Sequence, residues 1–530
     1  MRVRFSPMLQ RRHIAAFVVL ALVGCKRKPE ATALTQDDGK GKTHECKLVA
    51  GGRITQDTTV QTGCLVTVGE AYTITAGATL RIEAGARLAF KRGARILVED
   101  GALVVTGRRT EPAVFTSAEQ KPAAGDWGGL VFSSSKPSSL EGVIVEYAGE
   151  VPKLGAPTDP KAAKAAALAE AAEFGIIGLL ASSSHIGTLT PLADRRPALY
   201  LAPQAKLTLV DATVRHAAKV GLAADGAAPF DRFELAHFED NGGFAMDVKA
   251  SALGSVTSIS GPEPVRVRGS VKTTQSWPKV EGGIVVASLE VVAEPKAPPV
   301  VLTLAPETIV RVEPKTSLRF GGYADGGAVV AKKVVFTSAA SKPAPGDWAG
   351  IHFQKRAPGT SIDGCIIEYA GYEDPPVSPA GTKPKTKAKE EKPRPKPSAL
   401  VIQEWMKDFQ VVHTTFRHNA GPGMGKPYSY FGLSSGTGGC EGLDAPKNDN
   451  KSVGQPLCEY HEDPFAGVFD VAGSDSVFGG AMMGNEIGVG GLGATGSGIG
   501  GGGAGAGIGL GGLGGGGGGS LKGPTGKSAP

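Results

Sequence analysis

One stretch of this chain occurs twice, and any fold it adopts must accommodate both copies. The first copy runs from Val114 to Gly149 and the second from Val335 to Gly371. Val114-Phe115-Thr116-Ser117 answers to Val335-Phe336-Thr337-Ser338, and Gly125-Asp126-Trp127 to Gly346-Asp347-Trp348. Glu146-Tyr147-Ala148-Gly149 answers to Glu368-Tyr369-Ala370-Gly371. The offset is 221 residues at the tryptophans and 222 at the tyrosines, so one residue is inserted between them. Agreement over three separated motifs marks a duplicated structural unit, and repeats dominate the choice of fold.

Apolar residues alternate within the repeat. Leu130 and Phe132 flank Val131, and Val143, Val145 and Tyr147 fall two apart. Period two over short runs broken by Gly, Ser and Pro predicts strands. Upstream, Ala78–Phe90 (ATLRIEAGARLAF) is matched by Thr308–Phe320 (TIVRVEPKTSLRF). Leu80, Ile82, Leu88 and Phe90 are expected to point inward, and Arg81 and Arg87 outward. From Phe90 to Phe115 the chain spends 25 residues, but from Phe320 to Phe336 only 16, so the second copy has lost part of a coil. Strands this short cannot bury a face alone; stacked as successive coils they share one core. Phe233–Val248 and Val265–Val271 continue the pattern between the copies, which predicts one uninterrupted solenoid.

The sequence of FTS, a loop, GDW-x-G and a later EYAG strand resembles right-handed parallel β-helix proteins of the pectate-lyase-like kind. The resemblance covers roughly residues 46–425. It implies an all-β solenoid with two homologous halves, 46–264 and 265–425. It says little about activity.

The N-terminus reads as a targeting segment. Arg2, Arg4, Arg11 and Arg12 precede an apolar run, Ile14–Gly24, too short to span a bilayer. The run ends in Leu22-Val23-Gly24-Cys25, which resembles a bacterial lipobox; an ordinary secretory signal with an incidental cysteine is the alternative. The resemblance implies that 1–24 is removed, that Cys25 carries lipid, and, since Lys26 and not aspartate follows, that the chain anchors in the outer membrane. Residues 25–45 are polar and basic and read as a flexible tether.

An oxidising compartment permits disulfides between Cys46 and Cys64 and between Cys440 and Cys458, each pair 18 apart. Metal binding is the rival reading, but neither pair has CxxC spacing. Cys365 is left over at the position of Val143 and is expected to be a buried thiol.

After each EYAG the repeat is interrupted. The first insert, 150–197, contains the Ala-rich Lys161–Ser182, a helix candidate by propensity, whose apolar end Phe174–Leu180 is expected to pack on the solenoid flank. The second, 372–398, is rich in Pro and Lys, with seven basic residues between Lys383 and Lys396, and reads as an extended loop. Both inserts are expected to leave from one corner of the coil and to be where partners touch. Residues 426–475 read as a disulfide-containing C-terminal cap. From Gly479 to Gly519, 24 of 41 residues are glycine, which precludes a packed core and makes 476–530 a disordered tail.

Chemistry on a β-helix would use acidic clusters on one outer face. Asp126, Glu146, Arg215 and His216 are candidates, yet each has a counterpart in Asp347, Glu368, Arg417 and His418. Residues duplicated at matched positions serve a fold more naturally than a single active site. Asp126 and Asp347 suit a turn that binds backbone N–H groups. Trp127 and Trp348, with Tyr147 and Tyr369, read as structural parts of the repeat. Glu146 and Glu368 are expected to face solvent. The net charge of +6 is mild, and no nucleic-acid motif, HExxH, GxSxG or P-loop is present. No cofactor or metal is expected. The reading is a non-catalytic envelope lipoprotein whose β-helix binds glycan, an anionic envelope polymer, a partner protein or a surface. The alternative is a polysaccharide lyase or glycoside hydrolase of the same fold.

Overall fold

The structure is a computed structural model. It describes residues 44–48, 52–149, 195–322, 326–354, 358–373, 397–402, 409–425, 443 and 446–458. The lipobox with Cys25, the Ala-rich and Pro/Lys-rich inserts, Cys440 and the Gly-rich tail lie outside them.

The described chain is an all-β parallel β-helix with three walls. One wall is a single 14-stranded parallel sheet from Arg53–Ile54 to Lys451–Val453, crossing both halves of the chain. In the first half the other two walls merge into one 12-stranded sheet. They merge because Ser138–Glu146 and Leu207–Arg215 each run along one wall, turn, and continue on the next without a loop. A single left-handed residue makes each turn: Gly142 at φ 59° and Asp211 at φ 51°. Glycine is needed at 142, since a Cβ there would lie 2.3 Å from the Gly107 carbonyl carbon. In the second half the two walls separate into a six-stranded and a five-stranded sheet. The 3₁₀ helix Ala250–Ser255 sits at the seam, touching strands of both halves.

The alternation read from sequence sets the core. Leu80, Ile82, Leu88 and Phe90 are fully buried, as are Val310, Val312, Leu318 and Phe320, while Arg81 is exposed. One continuous apolar cluster runs from Ile54 to Cys458. Each large apolar side chain so buried contributes about 1.5–3 kcal/mol. No coil can collect that alone, because every inward residue is covered by the coils before and after it.

The second copy is turned one wall relative to the first. Val114-Phe115-Thr116 lies in the 12-stranded sheet between Arg87–Phe90 and Ser138–Glu146. Val335-Phe336-Thr337 lies in the 14-stranded sheet between Ile309–Val312 and Ile366–Glu368. The rotation is present before the shortened segment: Ile309–Val312, the counterpart of Thr79–Glu83 in the 12-stranded sheet, already lies in the 14-stranded one. In the first half three strands lie after Phe90 up to Phe115, a full coil; after Phe320 only two lie up to Phe336. The missing residues are one strand, so the shortened segment changes the offset between the copies by one further wall.

That rotation corrects the expectation about the inserts. The first leaves where the 12-stranded sheet hands over to the 14-stranded one, after Gly149. The second leaves where the 14-stranded sheet hands over to the six-stranded one, after Glu373. The exits share a motif and occupy different corners. Two boundaries also move: the first strand begins at His44, inside the stretch read as tether, and Lys451–Val453 is a solenoid strand inside the stretch read as cap.

Candidate functional site

The repeated polar residues meet at one corner in each half. In the first, Asp126 Oδ2 accepts the Ser117 hydroxyl at 2.7 Å and the Ala123 N–H at 2.8 Å, and so closes the loop before Trp127. In the second, Asp347 Oδ2 accepts Ser338 at 2.6 Å and Ala344 N–H at 3.0 Å. Trp127 and Trp348 are both 0% exposed. Their indole N–H groups donate to the Glu146 and Glu368 carbonyls, each at 2.9 Å. Trp127 also stacks on Phe90 with centroids 4.0 Å apart.

Glu146 and Glu368 do not face solvent as expected; they are 6% and 8% exposed. They do point away from the core, but in-register neighbours on successive coils cover them. Thr116, Glu146, Arg215 and Glu239 occupy one column of the wall. Glu146 Oε1 accepts the Thr116 hydroxyl at 2.7 Å and Oε2 accepts Arg215 Nε at 2.8 Å. Glu368 repeats this with Thr337 at 2.8 Å and Arg417 at 2.6 Å. Tyr147 stacks on His216 and Tyr369 on His418, and all four residues have positive φ; Tyr147, His216 and Tyr369 are half-buried and His418 is exposed, so these rings line the outside of the corner where the backbone turns. Inside the corners, asparagines complete the closure: Asn241 bonds the Ala217 N–H and Val214 carbonyl, and Asn419 bonds the Ala370 N–H and Ile367 carbonyl.

A second constellation has no duplicate, and sequence reasoning missed it. On the outer side of the 14-stranded sheet, Arg195 holds Asp225 bidentately at 3.0 and 2.9 Å. The Tyr200 hydroxyl donates to the same carboxylate at 2.8 Å, and Arg268 at 2.6 Å. Arg268 also bonds Asp247, which Arg266 approaches at 3.5 Å before pairing with Glu313 at 2.7 Å. Burial raises the Asp225 carboxyl, but the charge and hydrogen bonds of Arg195, with Arg268 and Tyr200, outweigh it and leave Asp225 below the usual carboxylate range. Burial, then the charge of Asp225, pushes the Tyr200 hydroxyl up. Lys249 is half-buried beside Arg268, its register neighbour. Desolvation first, then Arg268, holds its ammonium below the ordinary lysine range. These residues are scattered from 195 to 313 without a repeated motif; only the alternation in Val265-Arg266-Val267-Arg268 hinted that charges share the outer side.

Cys46 and Cys64 form a disulfide across the first two coils. His44 lies beside them, making the one group of three potential metal ligands among the described residues, but both sulfurs are spent on the S–S bond. Cys458 is disulfide-bonded; Cys440 lies outside the described residues. Cys365 is free and buried, and burial raises its thiol to about 11.

No curated protein and no solved structure matches the chain. Residues 52–149, which hold Asp126, Trp127, Glu146 and Tyr147 of the first corner, match the family model described as pectate-lyase like beta helix domain.

Proposed function

We propose that this chain is a non-catalytic bacterial envelope lipoprotein, anchored in the outer membrane through lipid on Cys25, whose β-helix presents its flanks to a glycan, an anionic envelope polymer, a partner protein or another surface. The observation that carries the reading is the commitment of the repeated carboxylates. Asp126, Glu146, Asp347 and Glu368 each accept at least two hydrogen bonds that close a corner. A general acid or base must reach the proton it transfers, and both oxygens of Glu146 and Glu368 and Oδ2 of Asp126 and Asp347 are already engaged within the fold. The rotation of one copy supports the same reading, since the two corners open in different directions and cannot build one groove.

A glycan array probed with the mature chain tests the binding half of this reading, and membrane fractionation of Cys25→Ser tests the anchor. Retention on envelope polysaccharides and loss of the variant from the outer-membrane fraction are expected. A chain that binds no surface component, or a Cys25→Ser variant recovered normally with membranes, overturns the corresponding half.

The lyase or hydrolase alternative draws on one feature, the unduplicated ionic cluster with Lys249 at its edge. Against it, Asp225 and Asp247 are held by arginines and are not poised as bases.

A further inference from the structure

The first coil carries a set of side chains that the spacing of its cysteines did not show. Strand His44–Cys46 pairs in parallel with Cys64–Val68, so His44 lies opposite Cys64 and Cys46 opposite Val66. The position of Cys46 continues through Val66, Leu88, Phe115 and Val145, all core residues. His44 and Cys46 therefore stand on the side of the strand that the following coils fill with apolar groups. No described coil precedes them, and this inward side is open at the end of the stack. His44 is exposed, Cys46 half-buried and Cys64 buried. His44 Nε2 lies 3.8 Å from Cys64 Sγ, and one donor atom from each of the three residues falls within 4.8 Å of the others.

We propose that reduction of Cys46–Cys64 turns this end of the solenoid into a binding site for a single thiophilic cation, Zn²⁺ or Cu⁺, held by two thiolates and the His44 imidazole. Metal–sulfur bonds of about 2.3 Å and metal–nitrogen bonds of about 2.0 Å place tetrahedral ligand atoms roughly 3.5–3.8 Å apart. His44 and Cys64 already stand at that separation. The sulfurs must part, and with their Cα atoms 5.5 Å apart a turn about each Cα–Cβ bond suffices, without a change of register. A thiolate-rich set of three suits Cu⁺, or Zn²⁺ with water in the fourth position. The reductant is a dithiol. Its thiolate attacks Cys46 Sγ, the less buried sulfur, and Cys64 leaves as a thiolate; the second thiol then frees Cys46, and the reductant becomes the disulfide. The two thiols formed release their protons when the cation binds. Oxidised or metal-loaded, the first strand stays tied to the second coil. This inference does not depend on the function proposed above.

The experiment compares the oxidised mature chain with the same chain reduced by dithiothreitol, which is then removed without air. Each form is titrated with Zn²⁺ and, in a separate arm, with Cu⁺, against a chromophoric chelator. A single cation per chain is expected, in at least one arm, that requires both reduction and His44. His44→Ala removes an exposed side chain and leaves both cysteines, so it should weaken binding by the reduced chain at least about tenfold. Cys46→Ser should abolish that binding. Co²⁺ in place of Zn²⁺ should show sulfur-to-metal charge-transfer absorption, which reports the thiolates directly. A chain carrying Cys440→Ser and Cys458→Ser should bind at this site as the wild type does. Hydrogen exchange in strand Cys64–Val68 of the reduced chain should slow when the metal is added. No metal bound after reduction, equal binding before and after it, or binding unchanged by His44→Ala overturns the proposal. So does binding that disappears with Cys440 and Cys458.

Discussion

Arg215→Ala asks whether the outward carboxylates are spent on the fold. Arg215 Nε donates to Glu146 Oε2 at 2.8 Å, and its Nη1 reaches Glu239 at 3.3 Å. Without the guanidinium, Glu146, whose side chain is 9% exposed, keeps only the Thr116 hydroxyl. A hydrogen bond to an ionised group contributes about 1.5–3 kcal/mol. Removing one member of a fully buried pair costs about 3–5 kcal/mol. Arg215 is itself 35% exposed, so water fills the space it leaves and the upper range is not reached. About 2 kcal/mol is expected. Glu146→Gln keeps the shape and loses the charge, so its cost should be about 1 kcal/mol, with a coupling of at least about 0.5 kcal/mol in the double mutant. A solenoid opens coil by coil, so the appropriate assay is hydrogen exchange at the amides of Tyr147, Ala148 and Ala218. Arg417→Ala should repeat the effect at Tyr369 and Ala370, because its bond to Glu368 is equivalent. Zero coupling in both halves, with unchanged exchange, would refute the reasoning and free these carboxylates for chemistry.

Trp127→Ala and Trp348→Ala should each cost about 3–5 kcal/mol, read as a lower denaturation midpoint, since each ring is enclosed and its N–H is bonded; wild-type melts with lost glycan binding would make the rings a carbohydrate site instead. Acid should weaken the outer ionic cluster. The folded pKa of Asp225 lies below its unfolded value, so its stabilisation is complete above about pH 4 to 5 and disappears as the pH falls through the folded pKa. The stability difference between wild type and Asp225→Asn should therefore shrink on acidification, and a difference independent of pH contradicts the assignment. Cys365, its thiol raised to about 11 by burial, should resist maleimide in the native chain and react only after unfolding; rapid native labelling would show an open site.

How much of this was legible in the sequence varied from element to element. The inward set from Leu80 to Phe90 followed from period two, because alternation alone decides which side of a strand meets the core. The enclosure of Trp127 and the turn role of Asp126 followed from their fixed place between a loop and a strand. Glu146 was misread because alternation reports direction and not cover. Its cover comes from Arg215, 69 positions away across an insert, and only the register of successive coils brings the two together. The shorter path from Phe320 to Phe336 encodes only one step of the second copy's rotation; the step before it was not legible, because Ile309–Val312 matches Thr79–Glu83 in pattern and gives no sign of the wall it joins. The ionic cluster around Asp225 was hidden for a simpler reason: it occurs once, and repetition was the signal being followed.

The central claim is that these walls bind without cutting. Its most direct test is to incubate the mature chain with each polysaccharide it retains, measuring bound polymer together with new reducing ends, unsaturated ends and the polymer's length distribution. Retention with unchanged length and no new ends is the expected result, for wild type and for Lys249→Ala alike. Shortened chains that accumulate with time, and that disappear in Lys249→Ala or Asp225→Asn, would contradict it and make the outer ionic cluster an active site.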